Sequence, residues 1–515
     1  MKFQPSFKTP FSKFFGAMLF AVMAMPAGAM AQGSAAPSQT VTHHHYKLID
    51  IGALGGPDSS LSGPFAQILN NQGTLAALAN TATSNPNANC AIPFNANGGG
   101  GDCFVEHAVL WRNGTLTDLE LLPGAANGQT DWIAGNGLVA GWSENGLLDA
   151  TGLPVGRAVL WTKDRKVIDL GAVPGGTESL ATSVNSLGEV VGFSDNDILD
   201  AFSMVGVPTQ TRAFLWQNGF MKDLGTLGGS DALAFLVNER GQIVGQSYTN
   251  SIASINCAAA PLTTHSFLWE SGKMIDLGTF GGTCTYPNWL SQRGQVVGAS
   301  NLAGDATHHG FLWGGGALTD VGTLGGNNSE ANWISETGFV VGRADVPGSQ
   351  SHHAFRWTNG VMTDLGILQG WPCSTALSVS SSGQVVGETG ICGIGGGPAF
   401  LSDNGEPIVD VNTLVVPVSD IEVISEWDIN DRGEIPGIGL LPSGDVHAVL
   451  LIPCDANHPN VAGCDYSLAG ASGVSASATA PPNSAKFSNT NMMMRIRARM
   501  ADRSGLHRAP QTAPQ

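Results

Sequence analysis

The chain has 515 residues, 42% hydrophobic and only 12% charged, which is enough apolar material for a folded core and excludes disorder as the default reading. Glycine (69) and proline (27) are frequent, as suits a protein full of tight turns. Net charge is −18 and the basic residues gather at the two ends, so the middle is more acidic still and repels phosphate backbones, which argues against nucleic acid as a partner.

Residues 1–13 carry Lys2, Lys8 and Lys13 and no acid, followed by an apolar run from Phe14 to Met25 and the small-x-small site Ala29-Met30-Ala31. This reads as a secretory signal over 1–31, cleaved before Gln32. No later stretch reaches ~18 consecutive apolar residues, so the mature chain is expected without a transmembrane segment, secreted or periplasmic, and monomeric. An oxidising compartment makes disulfides the default for the eight cysteines. Cys90, Cys103, Cys257, Cys284, Cys373, Cys392, Cys454 and Cys464 fall into four sequence-local pairs, although other connectivities stay open. His43, His44 and His45 lie in an expected linker, 32–45. Adjacent side chains alternate in an extended strand, so the three do not chelate together.

From residue 46 the chain repeats. RAFLWQNGFMKDLGTLGG (212–229), HSFLWESGKMIDLGTFGG (265–282) and HAFRWTNGVMTDLGILQG (353–370) align with one another. The unit's aspartate recurs as Asp50, Asp118, Asp169, Asp223, Asp276, Asp320, Asp364 and Asp410, at spacings of 44 to 68 residues. Periods in the forties mark propellers or arrays. A second block recurs between copies, as LVNERGQIVGQS (236–247), LSQRGQVVGAS (290–300) and ISETGFVVGRA (334–344). Each unit therefore holds four short strands: a, ending near Asn185, Asn238 or Ser335; b, the GQVVG block; c, HAFLW; and d, xMxDLGTL. Glycines close the a–b link (Gly188, Gly241, Gly294, Gly338, Gly383, Gly433). Asn-Gly closes many c–d links (Asn113-Gly114, Asn218-Gly219, Asn359-Gly360, Asn404-Gly405), a strong hairpin signal.

The first folded segment, YKLIDIGAL (46–54), is a d strand with no c strand before it, and the last, HAVLLI (447–452), is a c strand with no d after it. If the two share a blade, the ring closes without an unpaired edge. The expected fold is thus an all-β, eight-bladed β-propeller over 46–453, with seven blades as the fallback. Beyond it a disordered basic tail is expected over 454–515, with one cysteine pair at its start and an Ala/Ser/Gly/Pro-rich composition. The repeated His-Ala-Phe-Leu-Trp followed by Asp-Leu-Gly-Thr-Leu-Gly-Gly resembles the HAF family of bacterial extracellular repeats, over about residues 46–452. The resemblance implies an exported repeat protein and brings no catalytic residues or ligand. Arg157 and Arg212 depart from its leading histidine, Ser402 from its tryptophan, and 57–106 from the pattern as a whole.

Residues that recur in every unit read as structure. His107, His265, His309, His353 and His447 each open a different c strand, too far apart to share one ion, and are expected to tie neighbouring strands. The aspartates are expected to bind turn amides. Trp111, Trp161, Trp216, Trp269, Trp313 and Trp357 are expected to pack between blades. Double glycines such as Gly228-Gly229 resemble anion nests only weakly, and no phosphate-loop, HExxH or GxSxG motif is present in the sequence. Asp195, Asp197 and Asp200 form a DxD spacing that could hold calcium, the single metal candidate, although the stretch lacks the glycine and terminal glutamate of an EF-hand and a solvated loop is favoured.

Unique residues gather in long b–c inserts (77–106, 143–156, 195–211, 248–264). In antiparallel blades the b–c and d–a links emerge on one face. Cys257 and Cys392 lie in b–c links and Cys284 and Cys373 in d–a links, so the pairs Cys257–Cys284 and Cys373–Cys392 are expected to join loops on that face. The insert face is the candidate binding surface. The reading is a non-enzymatic exported module holding a glycan, peptide or surface partner. The alternative is a secreted carbohydrate-active enzyme, which requires carboxylates such as Glu106, Glu144, Asp149, Asp195 and Glu330 to converge.

Overall fold

Each repeat folds as its residue pattern dictates. In the computed structural model, which describes residues 43–464 and 466 except 64–65, 86–103, 150–151, 206–207, 254–256, 258–261, 349–350 and 394, the copy at 179–223 is an antiparallel meander. Its strands are a (Ser179–Val184), b (Val190–Leu199), c (Thr209–Gln217) and d (Phe220–Asp223). The a–b turn closes on Gly188 at φ 81° and the c–d turn on Asn218-Gly219 at φ 53° and 84°. Two successive positive φ values are those of a type I′ hairpin, which is why Asn-Gly recurs there. The glycine of the VVG block has another cause. A Cβ on Gly192 would strike the Leu180 carbonyl, because strand a bulges between Ala181 and Ser183 and brings its backbone against strand b.

Among the described residues the meander occurs eight times. Blades I to VII span 55–118, 128–169, 179–223, 232–276, 281–320, 329–366 and 373–410. Blades IV and V are joined into one sheet by a parallel bridge between Thr264 and Cys284. Blade VIII is composite: strands a (Glu422–Glu426), b (Ile435–Leu440) and c (Val446–Pro453) are completed by Tyr46–Asp50 as strand d, with Tyr46 opposite Pro453 and Asp50 opposite Val449.

The bond that links one blade to the next is repeated at the junction of the last with the first. Inside the array, a c-strand amide donates to the hydroxyl that opens the following strand a, as in Ala158 N to Ser179 Oγ (2.9 Å), Gly310 N to Ser329 Oγ (2.9 Å) and Ala354 N to Ser374 Oγ (2.8 Å). Ala448 N donates in the same way to Ser59 Oγ (3.0 Å), joining blade VIII to blade I, and Val446 N donates to Asp58 Oδ1 (2.9 Å). The fold is a β-propeller. Its core lies between blade faces, where fully buried Phe214, Phe267, Phe311, Phe355 and Phe400 recur once per unit. One 3-10 turn, Val411–Leu414, is the only helical element among the described residues, and none of their helices is long and apolar enough to cross a membrane.

The expected inserts are partly sheet. Strand b runs ten or eleven residues in blades I to IV (Leu75–Ser84, Val139–Leu148, Val190–Leu199, Ile243–Ala253) but six or seven in blades V to VII (Val296–Leu302, Val340–Asp345, Val385–Ile391). In blade III strands b and c keep pairing past the body of the blade, Asp195 with Thr211 and, across a bulge, Leu199 with Thr209. The segment read as loop from 195 therefore begins as a projecting hairpin.

Candidate binding face

The recurrent histidines and aspartates form a rim of interstrand ties. Nδ1 of His107, His265, His309, His353 and His447 lies within 3.0 Å of the carboxylate of Asp118, Asp276, Asp320, Asp364 and Asp50 respectively. Arg212 takes the same role opposite Asp223, its Nε donating at 2.9 Å, so this departure from the repeat keeps the tie. All of these aspartates but Asp118, which is followed by Glu120, accept the amide of the glycine two residues on, as Asp276 does from Gly278 (2.8 Å) and Asp364 from Gly366 (2.7 Å). These groups are committed to structure. At the composite blade His447 also approaches the Pro57 carbonyl through Nε2 (3.1 Å). Burial opposes charge on both partners there, but their mutual hydrogen bond prevails, holding Asp50 below and His447 above its ordinary pKa.

Along the ring axis the structure reveals a group that the repeat pattern hides. Trp132 of blade II, Trp289 of blade V and Trp333 of blade VI, each one residue before the end of strand a, are buried and stacked. Their ring centroids lie 5.6 Å (Trp132–Trp289) and 3.3 Å (Trp289–Trp333) apart. Blades II and V are not neighbours, so this stack bridges the axis toward the a–b turns, away from the inserts. Nearer the insert face, Glu330 near the start of strand a pairs with Arg343 of strand b (2.8 Å) and accepts from Asn288. Burial would raise the Glu330 pKa, but Arg343 and Asn288 hold it below the usual carboxylate range. His308 and His352, which open strand c in blades V and VI, are kept neutral: burial lowers both, His352 to about 4 with Arg343 adding to the effect. Asp131 of blade II is pushed up to about 7 by burial against the opposing hydrogen bond from Gln129.

The hairpins of blades II and III carry six of the exposed large apolar side chains. Leu147, Leu148 (66% exposed) and Leu153 project from blade II, and Ile198, Leu199 (81% exposed) and Phe202 from blade III. Glu178, at their base, is raised by burial and then by Asp195 and Asp149, so acids surround this patch.

The three aspartates of the DxD stretch are not brought to one point. Asp195 spends its carboxylate on the amides of Thr177 (2.8 Å) and Glu178 (2.7 Å), as Glu144 does on Ala126 (2.9 Å) and Asn127 (3.0 Å). Asp197 is exposed beside Gly175. Asp200 turns instead toward Asp231 of blade IV. The spacing was read as a loop, whereas the hairpin separates its members along a strand and a turn. The carboxylates required by the enzyme alternative are spread over blade I (Glu106), blade II (Glu144, Asp149), blade III (Asp195) and blade VI (Glu330).

Disulfides join Cys257 to Cys284, Cys373 to Cys392 and Cys454 to Cys464, as expected; Cys90 and Cys103 lie outside the described residues. His352 sits against the second bridge, its Nδ1 3.4 Å from Cys373 Sγ. His352, Cys373 and Cys392 are the one group of three or more such side chains among the described residues with metal-like proximity, and the two sulfurs are bonded to each other. His43, expected in a linker, is docked on Asp403 (2.7 Å), and the His45 carbonyl accepts from Cys454 N (2.8 Å), whereas His44 is exposed.

Sequence reasoning missed the axial tryptophans and Asp231. The tryptophans shared a detectable signal, an indole followed by Ile or Leu just before the a–b turn in three units, but the c-strand tryptophans dominated the alignment.

No protein-family model and no curated protein matches the chain. Among solved structures it is similar to the β-propeller domain of the Trilobed protease from Pyrococcus furiosus (12% identity over 72% of this chain and 97% of that one, TM-score 0.39). It is also similar to Pyrococcus horikoshii acylaminoacyl peptidase (12% identity, 74% of this chain and 57% of that one, TM-score 0.38) and Porphyromonas gingivalis dipeptidyl peptidase 4 (8%, 71% and 55%, TM-score 0.39). The chain spans just over half the length of these two peptidases.

Proposed function

We propose that the chain is an exported, non-enzymatic binding module of the HAF repeat kind, and that it holds a glycan, peptide or surface partner on its insert face. The observation that carries this reading is the gathering of Leu147, Leu148, Leu153, Ile198, Leu199 and Phe202, all exposed, on projecting hairpins of two adjacent blades. A scaffold that buries its repeated apolar residues so thoroughly has little reason to extend strands outward with leucines at their tips, and such patches mark interaction sites. The acids at their base favour a ligand with apolar faces and neutral or basic polar groups. Export is supported by the leader-like first segment and by cysteines that pair locally.

The test is binding of the purified mature protein to glycan and peptide arrays, beside the double variant Leu148→Asp/Leu199→Asp. The reading expects ligands whose signal falls at least about tenfold in the variant, the equivalent of burying one to two leucine side chains. Ligands that bind the variant equally well would move the site elsewhere. N-terminal sequencing of protein recovered from a bacterial host's periplasm or medium tests export, the expected first residue being Gln32.

A further inference from the structure

The turn at the tip of the blade III hairpin is anchored to blade IV through a pair of carboxylates. Asp231, at the head of blade IV's strand a, is fully buried, at 0% exposure. Its Oδ2 accepts the amide of Met204 (2.8 Å), whereas its Oδ1 is buried with no hydrogen-bond partner. Asp200 Oδ1 accepts the amide of Phe202 (2.8 Å), and its Oδ2 is likewise buried and unpartnered. The two carboxyl groups lie within hydrogen-bonding reach of each other. Each thus has one oxygen spent on an amide and one left over. In the same turn Ser203 Oγ hydrogen-bonds to Thr211 Oγ1 (3.1 Å), and the Phe202 carbonyl accepts from Tyr248 Oη (2.8 Å).

Two facing carboxylates in a buried site must share a proton or a cation. Burial and then the Asp200 carboxylate raise the Asp231 pKa to about 6, against the amides of Met204 and Thr211. The charged group that acts on Asp231 is another carboxylate, and each of the two keeps a buried oxygen with no partner. Hard oxygen donors with no nitrogen or sulfur suit calcium, which tolerates irregular geometry and completes its shell with carbonyls and water.

We propose that Asp200 and Asp231 bind a calcium ion that fastens the blade III hairpin to blade IV. The chelating pair is thus one residue of the DxD stretch and one from the next blade, 31 positions on in the sequence. The site would fix the segment that presents Ile198, Leu199 and Phe202, but it stands or falls independently of what that surface binds.

The experiment is thermal unfolding of the whole mature protein at pH 7.5 in about 1 mM CaCl2 and in EGTA, beside Asp200→Asn, with calcium titrated calorimetrically into both. Asp200 is the partly exposed member of the pair, so its substitution is the one expected to fold, and Asp231→Asn serves as a second variant. The proposal expects calcium to raise the wild-type Tm on the order of 5 °C, and expects both this shift and the calorimetric binding to disappear in Asp200→Asn. A wild-type Tm equal in calcium and EGTA would overturn it and leave a proton-sharing pair. A calcium response that survives in Asp200→Asn would overturn it equally, by placing the ion elsewhere.

Discussion

Replacing Trp289 by alanine removes the middle member of the axial stack. The indole is 7% exposed and lies between Trp132, at 5.6 Å, and Trp333, at 3.3 Å between ring centroids. Truncation of a buried aromatic to alanine costs about 3–5 kcal/mol. Loss of two ring contacts, at about 0.5–1.5 kcal/mol each, is additional, and partial collapse of the site offsets some of it. We therefore expect a loss near 5 kcal/mol. With roughly 2–4 °C per kcal/mol for a domain of this size, the Tm should fall by about 10–20 °C. The assay is urea and thermal unfolding followed by tryptophan fluorescence and near-UV circular dichroism, with Trp216→Ala, a partly buried c-strand tryptophan, as the comparison. Because the stack joins non-adjacent blades, a double-mutant cycle of Trp132→Ala with Trp289→Ala should show coupling of about 1 kcal/mol or more. If Trp289→Ala stays within about 1 kcal/mol of wild type, or if the two substitutions are strictly additive, the axis is not held as described.

Three further outcomes follow from the geometry. The His447–Asp50 tie stabilises the composite blade through a raised histidine and a lowered carboxylate, so its contribution is lost as pH rises through the elevated His447 pKa and also as pH falls through the depressed Asp50 pKa. His447→Gln should accordingly cost most, about 1 kcal/mol given the exposure of Asp50, between the ordinary carboxylate and imidazole ranges, and progressively less as pH rises through the elevated His447 pKa, as read from urea midpoints across pH. The Cys257–Cys284 bridge closes a separation of 27 residues, so Cys257→Ser/Cys284→Ser should lose about 3 kcal/mol in urea unfolding, and non-reduced peptide mapping of the wild type should recover Cys257 with Cys284 and Cys373 with Cys392. Gly192→Ala drives a methyl into the Leu180 carbonyl and should lower stability by more than about 2 kcal/mol, whereas Gly219→Ala, where a Cβ meets open space but φ is 84°, should cost about 1 kcal/mol.

The parts of the fold that repeat, or that act over short sequence distances, were legible. Turn glycines, Asn-Gly hairpins, the strand-tying role of the histidines, the turn-amide role of the aspartates and the boundaries at Tyr46 and Pro453 each leave a local mark, whereas the pairing of those histidines with those aspartates appears only in the structure. The unmatched terminal strands gave away the composite blade, because a d strand without its c strand is a visible defect in a regular series. Contacts that cross the ring were not legible. Trp132 and Trp289 are separated by two intervening blades, and no periodicity specifies that they meet. Asp200 and Asp231 illustrate the same limit at short range. The spacing of Asp195, Asp197 and Asp200 suggested a shared ligand. Yet the strand puts Asp195 on the amides of Thr177 and Glu178 and carries Asp200 around a turn to a neighbouring blade.

The composite blade is the premise of the architecture, and hydrogen–deuterium exchange of the segment 46–50 tests it most directly. Strand d of blade VIII pairs along its length with Val449–Pro453, and Tyr46 is fully buried. Its amides should therefore exchange as slowly as those of strand d in the interior blades, such as Lys273–Asp276, and much more slowly than an unpaired chain. Exchange of 46–50 at the rate of an unpaired chain, with the interior d strands protected, would contradict the closure and leave an open array.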